Sequence, residues 1–174
     1  MATRYLTIAA MKKAIVVLAI FIGCSPIPAR AQVPVTANPD HESMLQSNDP
    51  RLARNKRLVY DFWREVFEAA HMDLAPDYMA ESYIQHNPRV PTGRQAFIDF
   101  FSRVRKPLPI EPRIKAPLVA ILADGDLVIL TFVKEETEPQ DPARKYTTTW
   151  FDMFRIADGK IAEHWDPALK PPKP

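Results

Sequence analysis

The chain has 174 residues, of which 47% are apolar, 25% charged and 10% aromatic, a composition typical of globular proteins and not of disordered or fibrous ones. It has 4 glycines and 18 prolines, and the absence of GxGxxG and GxxxxGKS/T patterns excludes Rossmann-type and P-loop nucleotide binding. Four of the 23 basic residues and none of the 21 acidic ones precede residue 32, so the remaining chain is slightly acidic. We therefore expect no nucleic acid partner.

The first 31 residues have the three parts of a secretory signal peptide. Lys12-Lys13 precede the apolar run of residues 14–23, and Ala29-Arg30-Ala31 offers a small-x-small cleavage site. The apolar run is about half as long as the ~20 residues of a membrane span, which disfavours a transmembrane anchor. We therefore predict a signal peptide over residues 1–31 and a secreted or periplasmic mature protein.

Two features of this segment leave its processing open. Phe21-Ile22-Gly23-Cys24 loosely resembles a bacterial lipoprotein box, and lipidation of Cys24 is the one route by which we expect membrane association. The start is Met1 or Met11, because the charged region begins directly after Met11. Cleavage after Ala31 would remove the single cysteine, which excludes disulfides and Cys-ligated zinc from the mature protein.

The mature chain is predicted to hold one domain over residues 49–167. Residues 32–48 lack apolar periodicity and are expected to form a flexible, exposed lead-in, and residues 168–174 form a proline-rich tail. Asp49-Pro50 is typical of a helix N-terminus, and the apolar residues after it recur at three- and four-residue spacing to about residue 71.

Shorter helices are predicted next, over residues 74–81 and 93–104. Strands follow, beginning around Ile114 and continuing over residues 118–123, 127–134, 146–155 and 160–165, with a polar loop at 135–144. Helices followed by a strand meander predict an α+β domain in which helices cover one side of a curved antiparallel sheet.

Polar residues interrupt the last two predicted strands, which are otherwise rich in aromatic and aliphatic side chains. They are Asp152, His164 and Asp166, and a carboxylate among aromatic side chains is costly to bury unless it is paired. Whether they face one another depends on the turn at Asp158-Gly159. A two-residue turn sets Asp152 opposite Trp165, whereas a three-residue turn with a left-handed glycine sets it opposite His164.

We favour the three-residue turn, because it gathers these polar groups on one face with Trp150 and Phe154. That face would form a pocket with aromatic walls and a few convergent polar groups. In the alternative, the aspartate forms a salt bridge with Arg155 or Arg94 and the histidine is solvated.

The other histidines give weaker indications. His86 lies just before a chain break at Pro88, where a structural hydrogen bond is the ordinary role. His41 and His71 lie in the lead-in and at a helix end, where a surface or capping role suffices. No two possible ligands have a recognised metal spacing, so we expect no metal site.

Six segments of the chain together form a recognisable pattern. They are Asn55-Lys56, Tyr83-Ile84-Gln85-His86-Asn87-Pro88, Gly93-Arg94, Phe151-Asp152-Met153-Phe154-Arg155, Asp158-Gly159-Lys160-Ile161 and Glu163-His164-Trp165-Asp166. In these segments the chain resembles the SnoaL-like polyketide cyclases, and more exactly their aldol-condensation branch in the nuclear transport factor two superfamily. The resemblance covers about residues 50–167.

The resemblance implies a cone-shaped curved sheet packed on a long N-terminal helix, with a deep pocket between them and no cofactor or metal. It also implies that Asp152 is a general acid/base in an aldol reaction. His164 would donate to the developing enolate, and Gln85 or His86 would orient the second carbonyl. The residues that we expect to bind substrate are Gln85, Trp150, Phe154, Trp63 and Asp166.

Two functions of different class fit this pocket. The first is a cofactor-free acid/base enzyme, of aldol condensation, cyclase or isomerase type, that acts on a small apolar carbonyl compound. The second is a non-catalytic periplasmic module that binds a small molecule or dimerises. A homodimer through the outer sheet face is expected in either case.

Overall fold

The computed structural model describes residues 32–170, in which most helical segments precede the strands. The helical segments are α1 (His41–Leu45), α2 (Pro50–Asp61), a π-helical segment (Phe62–Glu68), a 3-10 turn (Met72–Leu74), α3 (Ala75–Tyr78) and α4 (Arg94–Val104). The strands are β1 (Met79–Gln85), β2 (Leu118–Asp124), β3 (Leu127–Glu138), β4 (Asp141–Ala157) and β5 (Lys160–Trp165). The predicted signal peptide, with Cys24, and the end of the predicted tail lie outside the described residues.

All five strands form one sheet in the order β1-β5-β4-β3-β2. β1 is parallel to β5 and every other pairing is antiparallel, with a register shift in each pairing. Such bulges bend strands and curve a sheet. The core lies between this sheet and the helices, and it includes the fully buried Val59, Val66, Val128, Leu130 and Ile161. The predicted α+β class is confirmed.

β1 is an element that the sequence pattern did not reveal. The predicted helix over residues 74–81 ends at Tyr78, and the chain from Met79 onward is a strand. Its register pairs Gln85 with His164 of β5. Met79 and Tyr83 are buried, so tertiary pairing with β5 decides the conformation of this segment over its local helical pattern.

The predicted polar loop at residues 135–144 is mostly strand. β3 and β4 continue as a long hairpin in which Glu135 pairs with Thr147 and Thr137 with Lys145. The Lys145 ammonium donates to the Thr137 hydroxyl over 3.0 Å and lies 3.7 Å from the Glu135 carboxylate. Such cross-strand pairs stabilise a ladder that has no apolar face.

The segment 32–48 differs from the exposed lead-in that we expected. It contains α1, capped by the Asp40 side chain, and it buries His41 and Leu45. The Nδ1 atom of His41 lies 2.8 Å from the Tyr60 hydroxyl of α2. Burial, as the largest cause, lowers the pKa of His41. Helix α1 therefore packs on the core, whereas most other residues of the segment are exposed.

The β4–β5 turn differs from both turns considered above, although the face that it gives is the expected one. Asp158 and Gly159 form a two-residue turn with φ of 50° and 71°, and a bulge follows, so that the register shifts between Arg155 and Ile156. Phe154 therefore pairs with His164. The bulge therefore places Asp152 and His164 on the same face of the sheet, whereas a two-residue turn without a bulge would place them on opposite faces.

The outer face of the sheet leaves apolar side chains exposed. Leu122 and Phe151 are 59% and 47% exposed. A homodimer through this face remains a prediction. None of the helices in the described part of the chain is long and apolar enough to cross a membrane.

Replacing Gly159 with alanine should destabilise the protein by about 1–2 kcal/mol, the cost of a left-handed conformation for a residue with a Cβ atom. A Cβ at Gly159 would meet no atom within 4 Å, so no steric clash contributes. Gly125, with φ of 56° in the β2–β3 turn and equally open surroundings, is the matched control. Urea unfolding should give similar losses for Gly159→Ala and Gly125→Ala. A neutral Gly159→Ala beside a destabilised Gly125→Ala would contradict the turn described here.

Candidate active site

A cavity of about 110 Å³ lies on the inner side of the sheet. Side chains from the π-helical segment, from α4, and from β1, β4 and β5 with the residues next to them form its wall. The lining residues are Phe62, Trp63, Phe67, Tyr83, Gln85, Asn87, Val90, Phe97, Phe101, Asp152, Phe154, His164 and Asp166. The wall is thus mostly aromatic, with its polar groups on the strands.

The π-helical segment supplies one aromatic side of the cavity. Helix α2 begins at Pro50 with the Asp49 side chain accepting from the Arg51 amide at 2.7 Å, and it changes to the wider π geometry after Asp61. Trp63 and Phe67 then stand with ring centroids 4.4 Å apart, and both line the cavity. π-Helical turns are rare in proteins, and those that do occur are frequently found at functional sites.

Asp152 is the buried carboxyl group of the cavity. It lies on β4, is 4% exposed, and its Oδ1 is 2.9 Å from His164 Nε2. Its Oδ2 has no hydrogen-bond partner among residues 32–170. Burial raises the pKa of Asp152, the hydrogen bond and charge of His164 lower it, the charge of Asp166 raises it further, and an interaction with the Trp150 side chain lowers it least. One oxygen of this buried carboxyl group is therefore left without a hydrogen-bond partner among residues 32–170.

No arginine neutralises this carboxyl group in the described part of the chain. Arg155 pairs with Glu163, and Arg94 donates to the Met79 carbonyl at 3.1 Å. The alternative in which Asp152 forms a salt bridge with one of these arginines is wrong, because both guanidinium groups are engaged elsewhere.

Gln85 determines which nitrogen of His164 carries a proton. The Oε1 atom of Gln85 accepts from the Asn87 backbone amide at 2.9 Å, which identifies that atom as the oxygen. The same oxygen lies 2.8 Å from His164 Nδ1, so Nδ1 must donate. The hydrogen bond between His164 Nε2 and Asp152 then holds one proton, either as imidazolium with carboxylate or as neutral imidazole with carboxylic acid. In both forms the pair has no net charge.

Two more polar groups converge on this pair. The Gln85 amide donates to the Tyr83 hydroxyl at 2.9 Å, and the Asn87 amide donates to Asp166 Oδ2 at 2.6 Å. Burial, followed by the charges of Asp166 and Asp152, raises the pKa of Tyr83. Tyr83 is therefore a neutral hydroxyl whose proton has no acceptor among the hydrogen bonds of residues 32–170.

The structure brings together most of the residues predicted from sequence. Those that line the cavity are Asp152, His164, Gln85, Phe154, Trp63 and Asp166. Two do not line it. His86 faces the other side, where its ring stacks on Trp165 at 4.7 Å and its Nε2 is 2.9 Å from Glu163. Trp150 lies under the Lys134 ammonium, 4.6 Å from the ring centroid.

The His86 side chain lies outside the cavity, so its position does not fit the catalytic role that we expected. Side chains alternate between the faces of an extended chain, so inward Gln85 leaves His86 outward. The same alternation places Tyr83 and Asn87 inward, and identifying β1 would have found both residues from the sequence. The aromatic residues of α4, Phe97 and Phe101, also line the cavity, although their helical spacing indicates only a buried face.

A cation could contact three of these side chains. One ligand atom each from Asp152, His164 and Asp166 lies within 4.8 Å of the others. This grouping could not be predicted from the residue pattern, because the three residues come from β4 and from the end of β5 and do not have a recognised metal spacing. A metal ion would have to open the contact between Asp152 and His164 to bind both.

Comparisons with known proteins give a family and several similar folds. A family model described as a SnoaL-like domain matches residues 59–164, more than half of the chain. TsrD from Streptomyces laurentii is 19% identical, with a TM-score of 0.44, over 69% of this chain and 90% of TsrD. A proposed polyketide cyclase from Acidithiobacillus ferrooxidans is 18% identical, with a TM-score of 0.47, over 70% and 89%. An LEH-like epoxide hydrolase from M. tuberculosis is 15% identical, with a TM-score of 0.48, over 68% and 81%. The comparison with curated proteins gave no match.

Gln85→Leu should change the tautomer of His164. In the wild-type protein the Gln85 oxygen holds a proton on Nδ1, and ¹⁵N NMR of histidine-labelled protein should show His164 Nδ1 protonated at every pH where the fold persists. Without that acceptor, a neutral His164 can move its proton to Nε2 and donate to ionised Asp152. His164→Gln identifies the resonance. A wild-type His164 with a bare Nδ1 would contradict the hydrogen-bond assignment.

Asp152→Asn should stabilise the protein at neutral and alkaline pH. Because burial raises the pKa of Asp152 in the folded state, the native state binds this proton more tightly than the unfolded chain does. That contribution is fully present below the ordinary aspartate pKa and is lost as the pH rises through the raised one. The asparagine variant loses no proton, and its amide can donate to His164 Nε2.

Urea unfolding between about pH 4 and pH 8 tests this expectation. The variant should be more stable than the wild type at the upper end, because it has no buried carboxylate to ionise there, and this gain should shrink as the pH falls. Asp124→Asn, at an exposed position at the end of β2, is the control. A gain that stayed constant with pH would refute the buried, destabilised carboxylate.

Proposed function

The chain belongs to the SnoaL-like domain family of the nuclear transport factor two-like superfamily, and we propose that it is a cofactor-free enzyme that removes a proton next to a carbonyl group. The observation that carries the proposal is the state of Asp152. Its carboxyl group is buried, it is held by His164 through one oxygen, its other oxygen has no hydrogen-bond partner among residues 32–170, and the residue lines an aromatic cavity. A base with a raised pKa, placed against a bound ligand, is what abstraction of such a proton requires.

The proton can be followed through the proposed step. In the form with imidazolium and carboxylate, Asp152 Oδ1 accepts from His164 while Oδ2 takes the proton from the substrate carbon. The electron pair of the broken C–H bond moves into the carbonyl group and forms an enolate. The enolate then attacks a second carbonyl carbon in an aldol reaction, or it is protonated at another carbon in an isomerisation.

Tyr83 is the best-placed donor to the enolate oxygen. We expected His164 in that role, but both of its ring nitrogens have protein partners, Gln85 and Asp152. The Tyr83 hydroxyl lines the cavity, receives a hydrogen bond from Gln85, and retains its own proton to donate. A single donor of this kind contributes about 10²–10³ to the rate of related reactions.

The cavity supports a small substrate. Its volume of about 110 Å³ is close to that of a ~150 Å³ engineered cavity known to bind benzene. The bound portion of the substrate is therefore about one ring in size, with aromatic side chains around it. A larger compound would extend through the mouth of the cavity into solvent.

We also propose that the domain acts after export. The support is the sequence of residues 12–31, with its charged, apolar and small-residue parts. Aromatic polyketide biosynthesis takes place inside cells, so an exported member of this family would act on another carbonyl compound.

Exchange of α-protons for deuterium tests the proposed reaction without knowledge of the natural substrate. Cyclohexanone and acetophenone, each about one ring in size, are incubated with the protein in D₂O, and ¹H NMR follows the loss of the α-proton signal. The wild type should accelerate exchange above the buffer rate. Asp152→Asn should lower the enzymatic rate by about 10²–10⁴, the usual contribution of a general base.

One control variant and one further test variant accompany this experiment. Asp124→Asn removes an exposed carboxylate away from the cavity and should leave the exchange rate unchanged. Tyr83→Phe should lower the rate and leave the fold intact. Equal exchange by the wild type and Asp152→Asn would remove Asp152 from the mechanism. The same aromatic cavity would then be better explained as the ligand site of a non-catalytic binding module.

A further inference from the structure

The cavity has an uncompensated negative charge. Its lining includes two carboxyl groups, Asp152 and Asp166, and no lysine or arginine. Arg155 of β4 and Arg94 of α4 bond to Glu163 and to a backbone carbonyl. No side chain in the cavity wall therefore offsets both carboxyl groups.

Counting protons locates this charge on Asp166. The Asp152–His164 pair holds one shared proton and is neutral, as the Gln85 hydrogen bond requires. Asp166 accepts from the Asn87 amide at 2.6 Å and from the Ala168 backbone amide at 2.9 Å. Both of its oxygens thus act as acceptors from neutral donors, as in an ionised carboxylate. The cavity wall carries a net charge of about one negative unit.

The remainder of the wall suits a cation with an apolar body. Aromatic faces attract ammonium groups through the ring quadrupole, more strongly where water is excluded. The aromatic residues of the wall are Phe62, Trp63, Phe67, Tyr83, Phe97, Phe101 and Phe154. An anionic ligand would be repelled by the Asp166 carboxylate, because no cation in the wall compensates that charge. A neutral ligand would leave the carboxylate without an ion-pair partner.

A second observation also points to a ligand at this place. The Asp152 side chain is 5% exposed, its Oδ2 lacks a partner among residues 32–170, and it lines the same cavity as Asp166. Atoms of the two carboxyl groups and His164 lie within 4.8 Å of one another. A ligand cation at Asp166 therefore lies close to the Asp152 carboxyl group that we assign as the base.

We propose that the cavity selects small ligands, about one ring in size, that carry a positively charged amino group, with the ammonium at Asp166 and the ring against the aromatic wall. This names the substrate class of the reaction proposed above and rests on it for its catalytic meaning: a carbonyl compound with an amino group close to the reacting carbon. A divalent metal is less suited, because it would leave the aromatic wall without a role and would have to open the 2.9 Å contact between Asp152 and His164.

Binding of matched probes tests the charge selectivity. Benzylamine, benzyl alcohol and benzoate share one ring and differ in charge, and ZnCl₂ tests a metal alone. Isothermal titration at pH 7 should show benzylamine binding at least tenfold more tightly than benzyl alcohol, with no binding of benzoate. Asp166→Asn should lower the benzylamine affinity to that of benzyl alcohol. Asp166→Glu, which keeps the charge, should retain most of the preference.

Three results of these titrations would overturn the proposal. Equal affinity for benzylamine and benzyl alcohol would show that Asp166 is not recognised as a charge, and so would an unchanged preference in a folded Asp166→Asn. Saturable zinc binding that needs Asp166, without a preference for benzylamine, would replace the amine by a metal ion. Benzylamine has no carbonyl group, so these titrations do not depend on turnover. Failure of deuterium exchange in 2-amino-1-phenylethanone, a one-ring ketone that carries an ammonium group, would reject the enzyme, and intact amine selectivity beside that failure would keep the binding class.

Discussion

The hydrogen bond between Asp152 and His164 is the interaction on which the candidate site depends. A carboxyl group at 4% exposure among aromatic rings is destabilised by several kcal/mol unless something compensates it. Here one imidazole compensates it through one oxygen, and Gln85 holds that imidazole in the required tautomer. The remaining oxygen stays unsatisfied, which is costly for stability and useful for a base. Polar groups in this state are typical of functional sites.

The fold holds this arrangement in place with irregular elements. The bulge after the Asp158-Gly159 turn puts His164 on the same face as Asp152. The parallel strand β1 brings Gln85 opposite His164. The π-helical segment adds Trp63 and Phe67 to the wall of the cavity. Each feature departs from ideal helix or sheet geometry, and each contributes a side chain to the same cavity.

Several elements could be predicted because their signals are local. Asp49-Pro50 marks the start of α2, and the apolar spacing within residues 94–104 marks α4. Strands β2, β3 and β5 follow from β-branched runs and glycine turns. β1 could not be predicted, since its residues have a helical pattern and become a strand by pairing with β5. The end of the β3–β4 hairpin has polar residues, so its sequence is typical of a loop. Only the pairing between the two strands shows that it is extended.

Residue patterns were enough to predict the α+β class, the resemblance to the SnoaL-like family, and Asp152 as the candidate acid, since it is an aspartate in an aromatic strand. They also placed His164 on the same face, although by a turn of the wrong length. The pairing of β1 with β5 was needed to show that Tyr83 and Asn87 also line the cavity and that His86 does not. The physical reason is that a hydrogen bond depends on positions to about 0.3 Å and on direction, whereas residue patterns specify only which face is apolar. Strand register and bulges, which arise from pairing between distant segments, convert that face into a specific set of contacts.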